Sequence, residues 1–458
     1  MSQGSLMKSF IGFLMGPVVG AAIGFFTTIV TTWILNPEEI GKSSSVTVFM
    51  TITTLFIYFG LDQAFIREFN ESKDKKQLFW TSLKFPLMLS MIISIVSVGF
   101  SRELSIILFN EVNLYGVILI LLMIPFTTID RYSMLILRME EKAKLYSFIQ
   151  IINKILNLIL LVFYLLCINR SYTSIVFAMS ISNILTALIG VYYTKDYWIN
   201  RHKTNKQLLF KLIRYGIPLV PTMILTSLFN SMDRIALLKW SDFNEVGIYT
   251  VLFKITMVIS IIQAAFSSFW TPVSQRWYSE KVSNEKIIEI GYIMCSVVSI
   301  LYILLMIFKD VIVSLLLPVD YREFSLIIPL LAYVPLMSIL SLTTCVGINY
   351  SRRTELNIVP ALIALGANYF GNKILVPNLG AVGASISSAI SYTIFFIVIT
   401  YLSRRVWFKF KISNFVINIG ITIVVSLNGI FINNTIITII CFFIVIFYNM
   451  KYYKILLD

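Results

Sequence analysis

The sequence predicts an all-α polytopic membrane protein with about fourteen transmembrane helices. Of its 458 residues, 58% are hydrophobic and only 13% are charged, whereas a typical globular domain has about 25% charged residues. The mean hydropathy is +0.85, and a water-soluble fold of this length could not bury so much apolar surface. The apolar residues also fall into separate segments, each close to the length of about 20 residues that a helix needs to cross a bilayer.

Fourteen apolar segments are candidates for membrane-spanning helices. None is a stretch of about ten residues with alternating hydrophobicity, which is typical of a barrel strand. The first segment is too long and too rich in glycine for a signal peptide, and it has no small-residue cleavage site. The segments are residues 10–35, 45–66, 78–100, 114–137, 145–168, 173–194, 215–239, 247–270, 288–308, 325–347, 356–376, 381–402, 414–431 and 435–450.

The distribution of lysine and arginine predicts the orientation of these helices. With a cytoplasmic N-terminus and one crossing per segment, 25 of the 37 basic residues fall in inner segments and 7 in outer ones. Because basic residues are retained on the cytoplasmic side, we expect both termini to be cytoplasmic. The same rule accounts for the net charge of +14, and no loop is long enough to form a basic face for nucleic acid.

The few cysteine and histidine residues exclude several kinds of site. The cysteines lie in or beside apolar segments without a CxxC pair, which is typical of small packing residues: Cys167, Cys295, Cys345 and Cys441. His202, in a basic loop, is the only histidine. A histidine-rich metal site is therefore excluded, and little is left for histidine-based catalysis. We expect no metal and no cofactor.

The loops leave no room for a soluble catalytic domain. The longest aqueous segment, residues 195–214, has about 20 residues, and no GxxxxGK[ST] motif occurs. We therefore do not expect ATP-driven transport by this chain alone. We also do not expect an enzyme, since a membrane-embedded sugar polymerase or acyltransferase would use sizeable outer loops or histidine, and the outer loops here are short and histidine-free. The function must then lie in the membrane-embedded surface, as in a secondary transporter, a flippase or a structural membrane protein.

Similar features occur in the two halves of the chain at an offset of 206 residues. Glu39-Ile40-Gly41 follows the first predicted helix, and Glu245-Val246-Gly247 follows the seventh. Since transporters are often built from repeats, we interpret this pattern as two parallel repeats of six helices. The predicted division is an N-lobe at residues 1–200, a C-lobe at residues 201–405, and helices 13 and 14 at residues 406–458.

The fifth predicted helix has a polar face within the membrane. Ser147, Gln150, Lys154 and Asn157 follow a spacing that places them on one side of a helix. Lys154 lies about 14 Å from the cytoplasmic end, close to the midplane. A charge at this depth costs about 2.5–3.5 kcal/mol on insertion scales, so this face is expected to line a wet cavity or to meet a partner. The alternatives are a snorkelling lysine and a buried ion pair.

Basic residues outnumber acidic ones inside the predicted helices. We predict a cationic substrate-binding cavity formed by Lys84, Arg131, Lys154, Arg234 and Lys254 and lined by the polar residues Gln150, Asn157 and Asn230. Such a cavity suits an anionic substrate, and the planar fork of arginine suits phosphate. Snorkelling is the alternative for Lys84 and Arg131, which lie near cytoplasmic helix ends.

Three acidic residues are candidates for coupling transport to an H⁺ or Na⁺ counter-ion. They are Asp62, Asp130 and Asp233. Asp130 directly precedes Arg131, and Asp233 directly precedes Arg234. The alternative is that a basic neighbour neutralises each of these carboxylates.

Several stretches resemble a known family of membrane proteins. They are residues 60–69 (GLDQAFIREF), 215–221 (YGIPLVP), 231–234 (SMDR), 245–249 (EVGIY) and 377–385 (PNLGAVGAS). The chain resembles, over nearly its whole length, the Wzx-type lipid-linked oligosaccharide flippases of the MOP exporter superfamily, also called polysaccharide biosynthesis proteins. Asp233, Arg234 and Lys254 match this family's pattern in its seventh and eighth helices.

The resemblance implies both a fold and a function. The implied fold is two six-helix lobes in a V with two extra C-terminal helices. The implied function is translocation of undecaprenyl-pyrophosphate-linked oligosaccharide repeat units from the inner to the outer leaflet of the bacterial cytoplasmic membrane. Such units are used for O-antigen of lipopolysaccharide, capsule or exopolysaccharide. The implied partners are this substrate, a counter-ion, membrane lipids and the polysaccharide polymerase machinery.

Other functions remain open from the residues alone. A multidrug/cation antiporter or a peptidoglycan-precursor flippase would use the same fold for a different cargo. The cationic interior argues against the antiporter, because a cation exporter is expected to have unpaired acidic groups at mid-depth. A hypothesis of a different class is a membrane component of glycan assembly that transports nothing.

Overall fold

The computed structural model describes residues 3–199, 202–351 and 353–457, and these ranges contain eighteen α-helices and no β-strand. The first unit of the chain contains α1 (Gln3–Thr32), α2 (Pro37–Tyr58), α3 (Leu61–Glu68), α4 (Lys75–Gly99), α5 (Ser101–Phe109), α6 (Leu114–Met139), α7 (Ala143–Cys167), α8 (Tyr172–Tyr193), α9 (Lys195–Trp198) and α10 (Lys206–Gly216). The remaining helices are α11 (Val220–Trp240), α12 (Phe243–Ser279), α13 (Asn284–Leu316), α14 (Ile327–Thr344), α15 (Val346–Tyr350), α16 (Ile358–Val406), α17 (Ser413–Phe431) and α18 (Thr435–Leu457).

Twelve helical segments of the described chain are long and apolar enough to cross a membrane. The segment that contains α16 is broken at Gly380, whose backbone is not helical (φ 51°, ψ −130°), so it accounts for two of the predicted helices. A shorter apolar helix, Thr435–Met450, completes the predicted set of fourteen. The predicted all-α polytopic fold is therefore confirmed. The cytoplasmic location of the termini stays a prediction, and Met1 and Asp458 themselves lie outside the described residues.

The second predicted helix ends earlier than the hydropathy pattern indicates. Residues 61–66, predicted as its end, form part of the separate helix α3. The chain turns at Phe59 and Gly60, whose φ values are 47° and 75°. A Cβ on Gly60 would lie 2.4 Å from the carbonyl oxygen of Gly216, so the close approach of α3 to α10 requires glycine there.

The chain separates into two compact units, Met1–Ser231 and Met232–Asp458. In the first unit, α6, α7 and α8 pack against one another, and α1 lies along α7. In the second unit, α14 packs against α12, α13 and α16, while α17 and α18 both pack against α13. The predicted lobe boundaries, 1–200, 201–405 and 406–458, stay a prediction.

Both halves of the chain contain the same contact between a glutamate and a distant helix start. Glu39 Oε2 accepts a hydrogen bond from the backbone N–H of Tyr172, at the start of α8. Glu245 Oε2 accepts one from the N–H of Ala381, 2.6 Å away, just after the break in α16. The first N–H groups of a helix have no partner within it, and the helix dipole favours a carboxylate there. These glutamates are the ones related by the 206-residue offset, which supports the interpretation as a repeat.

We expect Glu245→Ala to destabilise the second unit by about 1 kcal/mol, because it removes a charged cap from the start of a helix. Glu245→Gln should lose less, since its amide oxygen can still accept the hydrogen bond. The measurement is the midpoint of thermal unfolding of the purified protein. Glu280→Ala, at an exposed position that ends α12, is the control. A midpoint for Glu245→Ala equal to that of this control would contradict the capping role.

Candidate functional site

Asp233, on α11, accepts four hydrogen bonds from uncharged groups. Its Oδ2 accepts from the Tyr249 hydroxyl at 2.6 Å and from the Ser388 hydroxyl. Its Oδ1 accepts from the side-chain amides of Asn368 and Asn372, at 3.0 and 2.9 Å. The residue is only 9% exposed. Buried charges need partners, and here four dipolar donors surround the carboxylate in place of a basic side chain.

The break at Gly380 brings Ser388 to this carboxylate. Ser388 follows Asn372 by 16 residues, so an unbroken helix would separate them by about 24 Å along its axis. Both nevertheless bond to Asp233, and Ser388 also lies 3.3 Å from the Asn368 amide nitrogen. Asn368 and Asn372 are one turn apart on α16 and are themselves hydrogen-bonded at 3.1 Å. We call Asp233, Tyr249, Asn368, Asn372 and Ser388 the Asp233 cluster.

Of the Asp233 cluster, only Asp233 itself is a site residue predicted from the sequence. Three of the other members, Asn368, Asn372 and Ser388, lie more than 130 residues from Asp233 in sequence. Tyr249 lies 16 residues away on the next helix. The one signal available was the pair Asn368 and Asn372, four residues apart in a largely apolar segment. Two buried amides on one helix face require partners, and this spacing could have marked α16 as part of a polar site.

Arg234 is half-buried, and no described hydrogen bond or salt bridge joins it to the adjacent Asp233. Each hydrogen bond described for Asp233 comes from a group other than Arg234. The Arg234 guanidinium instead lies over the ring of Phe253, 5.1 Å from the centroid. Its Nε is buried and has no hydrogen-bond partner in the described chain. The geometry therefore argues against the alternative in which Asp233 forms an ion pair with Arg234.

Lys254 and Asn230 are the other two predicted site residues on α11 and α12. Lys254 directly follows Phe253 on α12, and its side chain is exposed. Asn230 is exposed on α11 and belongs to the first unit.

In the first unit, Asp62 and Arg131 form an ion pair. Arg131 Nη2 lies 2.7 Å from Asp62 Oδ2, and the Asp62 residue is only 1% exposed. Gln63 donates a further hydrogen bond to the same oxygen at 3.0 Å. Arg131 therefore pairs with a carboxylate 69 positions away, while the adjacent Asp130 is half-buried. A predicted coupling acid and a predicted substrate-binding base thus compensate each other's charge.

The polar face of α7 packs against α1. The backbone N–H of Gly16 donates to the Ser147 hydroxyl at 3.1 Å. A Cβ on Gly16 would lie 2.8 Å from Gln150 Oε1, and one on Gly20 would lie 3.5 Å from the Lys154 Cγ. The face therefore meets a partner helix, one of the two arrangements expected for it.

Lys154 is exposed at this surface of α7. No salt bridge in the described chain includes it, so a buried ion pair does not account for its position. Asn157 is half-buried one turn further along α7.

The five predicted basic residues are divided between the two units. Lys84, exposed on α4, lies in the first unit with Arg131 and Lys154, whereas Arg234 and Lys254 lie in the second. A common substrate cavity formed by all five stays a prediction. Among the described residues, no group of three or more histidine, cysteine, aspartate or glutamate side chains could hold a metal ion.

The fold is that of transporters with known structures. The structure of lipid II flippase MurJ in an inward closed conformation aligns with 97% of this chain and 100% of its own, with a TM-score of 0.76 and 14% identity. An inward-facing MATE family multidrug resistance transporter of the MOP superfamily aligns with 86% of this chain and 97% of its own, with a TM-score of 0.63 and 17% identity. The protein therefore has the fold of MOP-superfamily transporters.

A match to a family model identifies the family of the chain. The model described as polysaccharide biosynthesis protein matches residues 6–278, more than half of the chain. The chain therefore belongs to the polysaccharide biosynthesis protein family, and the resemblance noted in its sequence is confirmed. No curated protein matches the chain in sequence.

Proposed function

We propose that the protein is a flippase for undecaprenyl-pyrophosphate-linked oligosaccharide repeat units, moving them from the inner to the outer leaflet of the bacterial cytoplasmic membrane. The units would serve O-antigen, capsule or exopolysaccharide synthesis. Membership of the polysaccharide biosynthesis family and the fold shared with a lipid II flippase support this proposal. The single observation that supports an anionic cargo is the state of Arg234. Its Nε lacks a hydrogen-bond partner, and the carboxylate of the adjacent Asp233 accepts hydrogen bonds from other residues.

The chemistry of Arg234 matches a pyrophosphate. A guanidinium presents its N–H groups in a planar fork that can bind two phosphate oxygens at once, and it keeps its charge inside a protein. Lys154 and Lys254 add positive charge without that fork. A pyrophosphate that crosses hydrocarbon without such partners would face a large desolvation cost. The proposed step neither makes nor breaks a covalent bond, so the protein acts as a transporter and not as an enzyme.

We further propose that the Asp233 cluster binds the coupling cation. The cluster combines one carboxylate with amide and hydroxyl oxygens, which are ligands suited to a hard cation. Asn372 Oδ1 is buried without a hydrogen-bond partner and can turn to such an ion. With a single acidic residue, the cluster suits a monovalent ion, H⁺ or Na⁺. Asp62 suits it less, because Arg131 already compensates its charge.

The membrane potential would favour the outward step. Each charge moved through 100 mV changes the free energy by about 2.3 kcal/mol, so a pyrophosphate with about two negative charges gains from leaving a negative interior. The basic residues of the carrier must then return, and a cation that enters at Asp233 would drive that return.

The experiment is a translocation assay in proteoliposomes with three cargoes: an undecaprenyl-pyrophosphate-linked oligosaccharide, lipid II and a cationic drug. We expect translocation of the first, without ATP. Translocation of lipid II alone would identify a peptidoglycan-precursor flippase, and transport of the drug alone would identify an antiporter. No transport of any cargo by folded protein would contradict the proposal in favour of a non-transporting component of glycan assembly.

A further inference from the structure

The second unit contains a small polar cleft that includes no residue of the Asp233 cluster. Its walls are the end of α13, around Lys309 and Asp310, and the turn from Asn428 to Thr438 between α17 and α18. Its volume is about 50 Å³. A site needs about 10–15 Å³ for each water-sized group, so the cleft holds about three to five such groups.

A buried lysine forms one wall of the cleft. Lys309 is only 5% exposed, and its ammonium lies 3.1 and 3.0 Å from the two carboxylate oxygens of Asp310. Ser325 donates a hydrogen bond to the same carboxylate. An ammonium has three N–H donors. The two hydrogen bonds described for the Lys309 ammonium both go to the neighbouring Asp310. The wall therefore has no net charge but retains donor and acceptor capacity.

Amide and hydroxyl groups form the opposite wall. The buried Asn428 donates to the Asn434 carbonyl at 2.8 Å and to the Thr438 hydroxyl at 3.0 Å, and its own oxygen accepts from the Asn434 N–H. These bonds hold the turn in one conformation. Asn433, Asn434 and Thr435 are exposed at the rim. Phe431, at the end of α17, is 79% exposed and offers an apolar surface beside the turn.

We propose that this cleft is a saccharide subsite that binds the hydroxyl-bearing edge of one sugar ring. Paired donors and acceptors with no net charge match sugar hydroxyls, each of which donates and accepts. Because Asp310 compensates Lys309, the wall offers no net positive charge to hold a phosphate, and the polar walls would leave an acyl chain next to unsatisfied groups. The volume fits an edge of a ring, with the remaining ring outside the rim. In the predicted orientation the cleft opens at the outer surface. The assignment of this sugar to a transported repeat unit rests on the proposed function.

The test uses the full-length protein in lipid nanodiscs and saturation-transfer NMR with methyl glycosides of glucose, galactose and N-acetylglucosamine. We expect saturation transfer to at least one glycoside. Lys309→Met and Thr435→Val should each raise its Kd, by about tenfold for the lysine variant, which loses a charged donor. Thr435 is exposed, so its variant keeps the fold even if the buried lysine variant does not. Arg322→Met, at an exposed position outside the cleft, is the matched control and should bind like wild type.

The outcomes separate this subsite from the proposed function. The subsite would be overturned if no glycoside shows saturation transfer at a concentration on the order of 10 mM. It would also be overturned if wild type and both cleft variants bind the glycoside with equal affinity. Glycoside binding lost in the cleft variants supports it. If wild type shows that binding but translocates no lipid-linked oligosaccharide, the subsite stands and the flippase proposal fails. If translocation occurs but glycosides do not bind, the reverse holds.

Discussion

Replacing Asp233 with asparagine is expected to lower the initial rate of ion-coupled transport by on the order of 10- to 100-fold, because hydrogen bonds and contacts to a charged group are the strong ones. The substitution preserves the shape of the Asp233 cluster. The amide oxygen can still accept from Asn368 and Asn372, and the hydroxyls of Tyr249 and Ser388 can accept from the new NH₂ group. The variant therefore removes the charge that would bind a cation while it retains the packing.

The measurement is translocation of the lipid-linked oligosaccharide into proteoliposomes with an imposed Na⁺ or H⁺ gradient and with the gradients collapsed. Asp242→Asn is the matched control, since it makes the same chemical change at an exposed helix cap, where asparagine caps as well as aspartate. Wild type should respond to one gradient, and Asp233→Asn should not. A full response in Asp233→Asn would assign the coupling to another acid. Full transport by wild type without any gradient would remove coupling from the mechanism.

Arg234→Ala is expected to lower translocation of the pyrophosphate-linked substrate by on the order of 10- to 100-fold at unchanged protein abundance, as hydrogen bonds between charged groups are lost. The side chain contacts the ring of Phe253 rather than a carboxylate, so its removal leaves no unpaired acid behind. Arg234→Lys should retain part of the activity, because an ammonium keeps the charge but loses the bidentate geometry.

Arg276→Ala is the control for this series, since Arg276 is an exposed arginine with only a surface contact to Glu280 at 3.9 Å. It should translocate at the wild-type rate. If Arg234→Ala and Arg234→Lys lose translocation equally and less of each variant is found in the membrane, the guanidinium has a structural role. Wild-type translocation by Arg234→Ala would contradict the role of Arg234 in binding the cargo.

Hydropathy predicted the membrane-spanning helices because the cost of exposing polar groups to lipid acts on each segment separately. It failed at Phe59 and Gly60, where two apolar residues adopt positive φ and form the turn between α2 and α3. Their apolar character continues the hydrophobic segment, so hydropathy carries no sign of the turn. The contact of Gly60 with Gly216, which requires the turn, joins residues 156 positions apart. The reversal at Gly380, by contrast, was predicted, because the apolar segments 356–376 and 381–402 are separated there. The sequence did not reveal that this reversal brings Ser388 to Asp233.

The candidate site was only partly predictable. Sequence identified Asp233, Arg234 and Asp62 as charged residues in apolar surroundings, because such residues are rare and costly there. It could not assign their partners. Each aspartate–arginine neighbour pair suggested local neutralisation, yet Arg131 pairs with Asp62, and Asp233 bonds to α12 and α16. Neighbouring residues on a helix point in different directions, so adjacency in sequence does not produce a contact.

The sequence by itself determined that this is a polytopic helical membrane protein of the polysaccharide biosynthesis family, because composition, segment length and local motifs are properties of short stretches of chain. Only the tertiary structure decided which charges are compensated. It pairs Asp62 with Arg131, surrounds Asp233 with uncharged donors, and leaves a nitrogen of Arg234 without a partner. The physical reason is that a charge within a membrane protein is stabilised or left available by groups only a few ångströms away, and packing of distant segments chooses those groups.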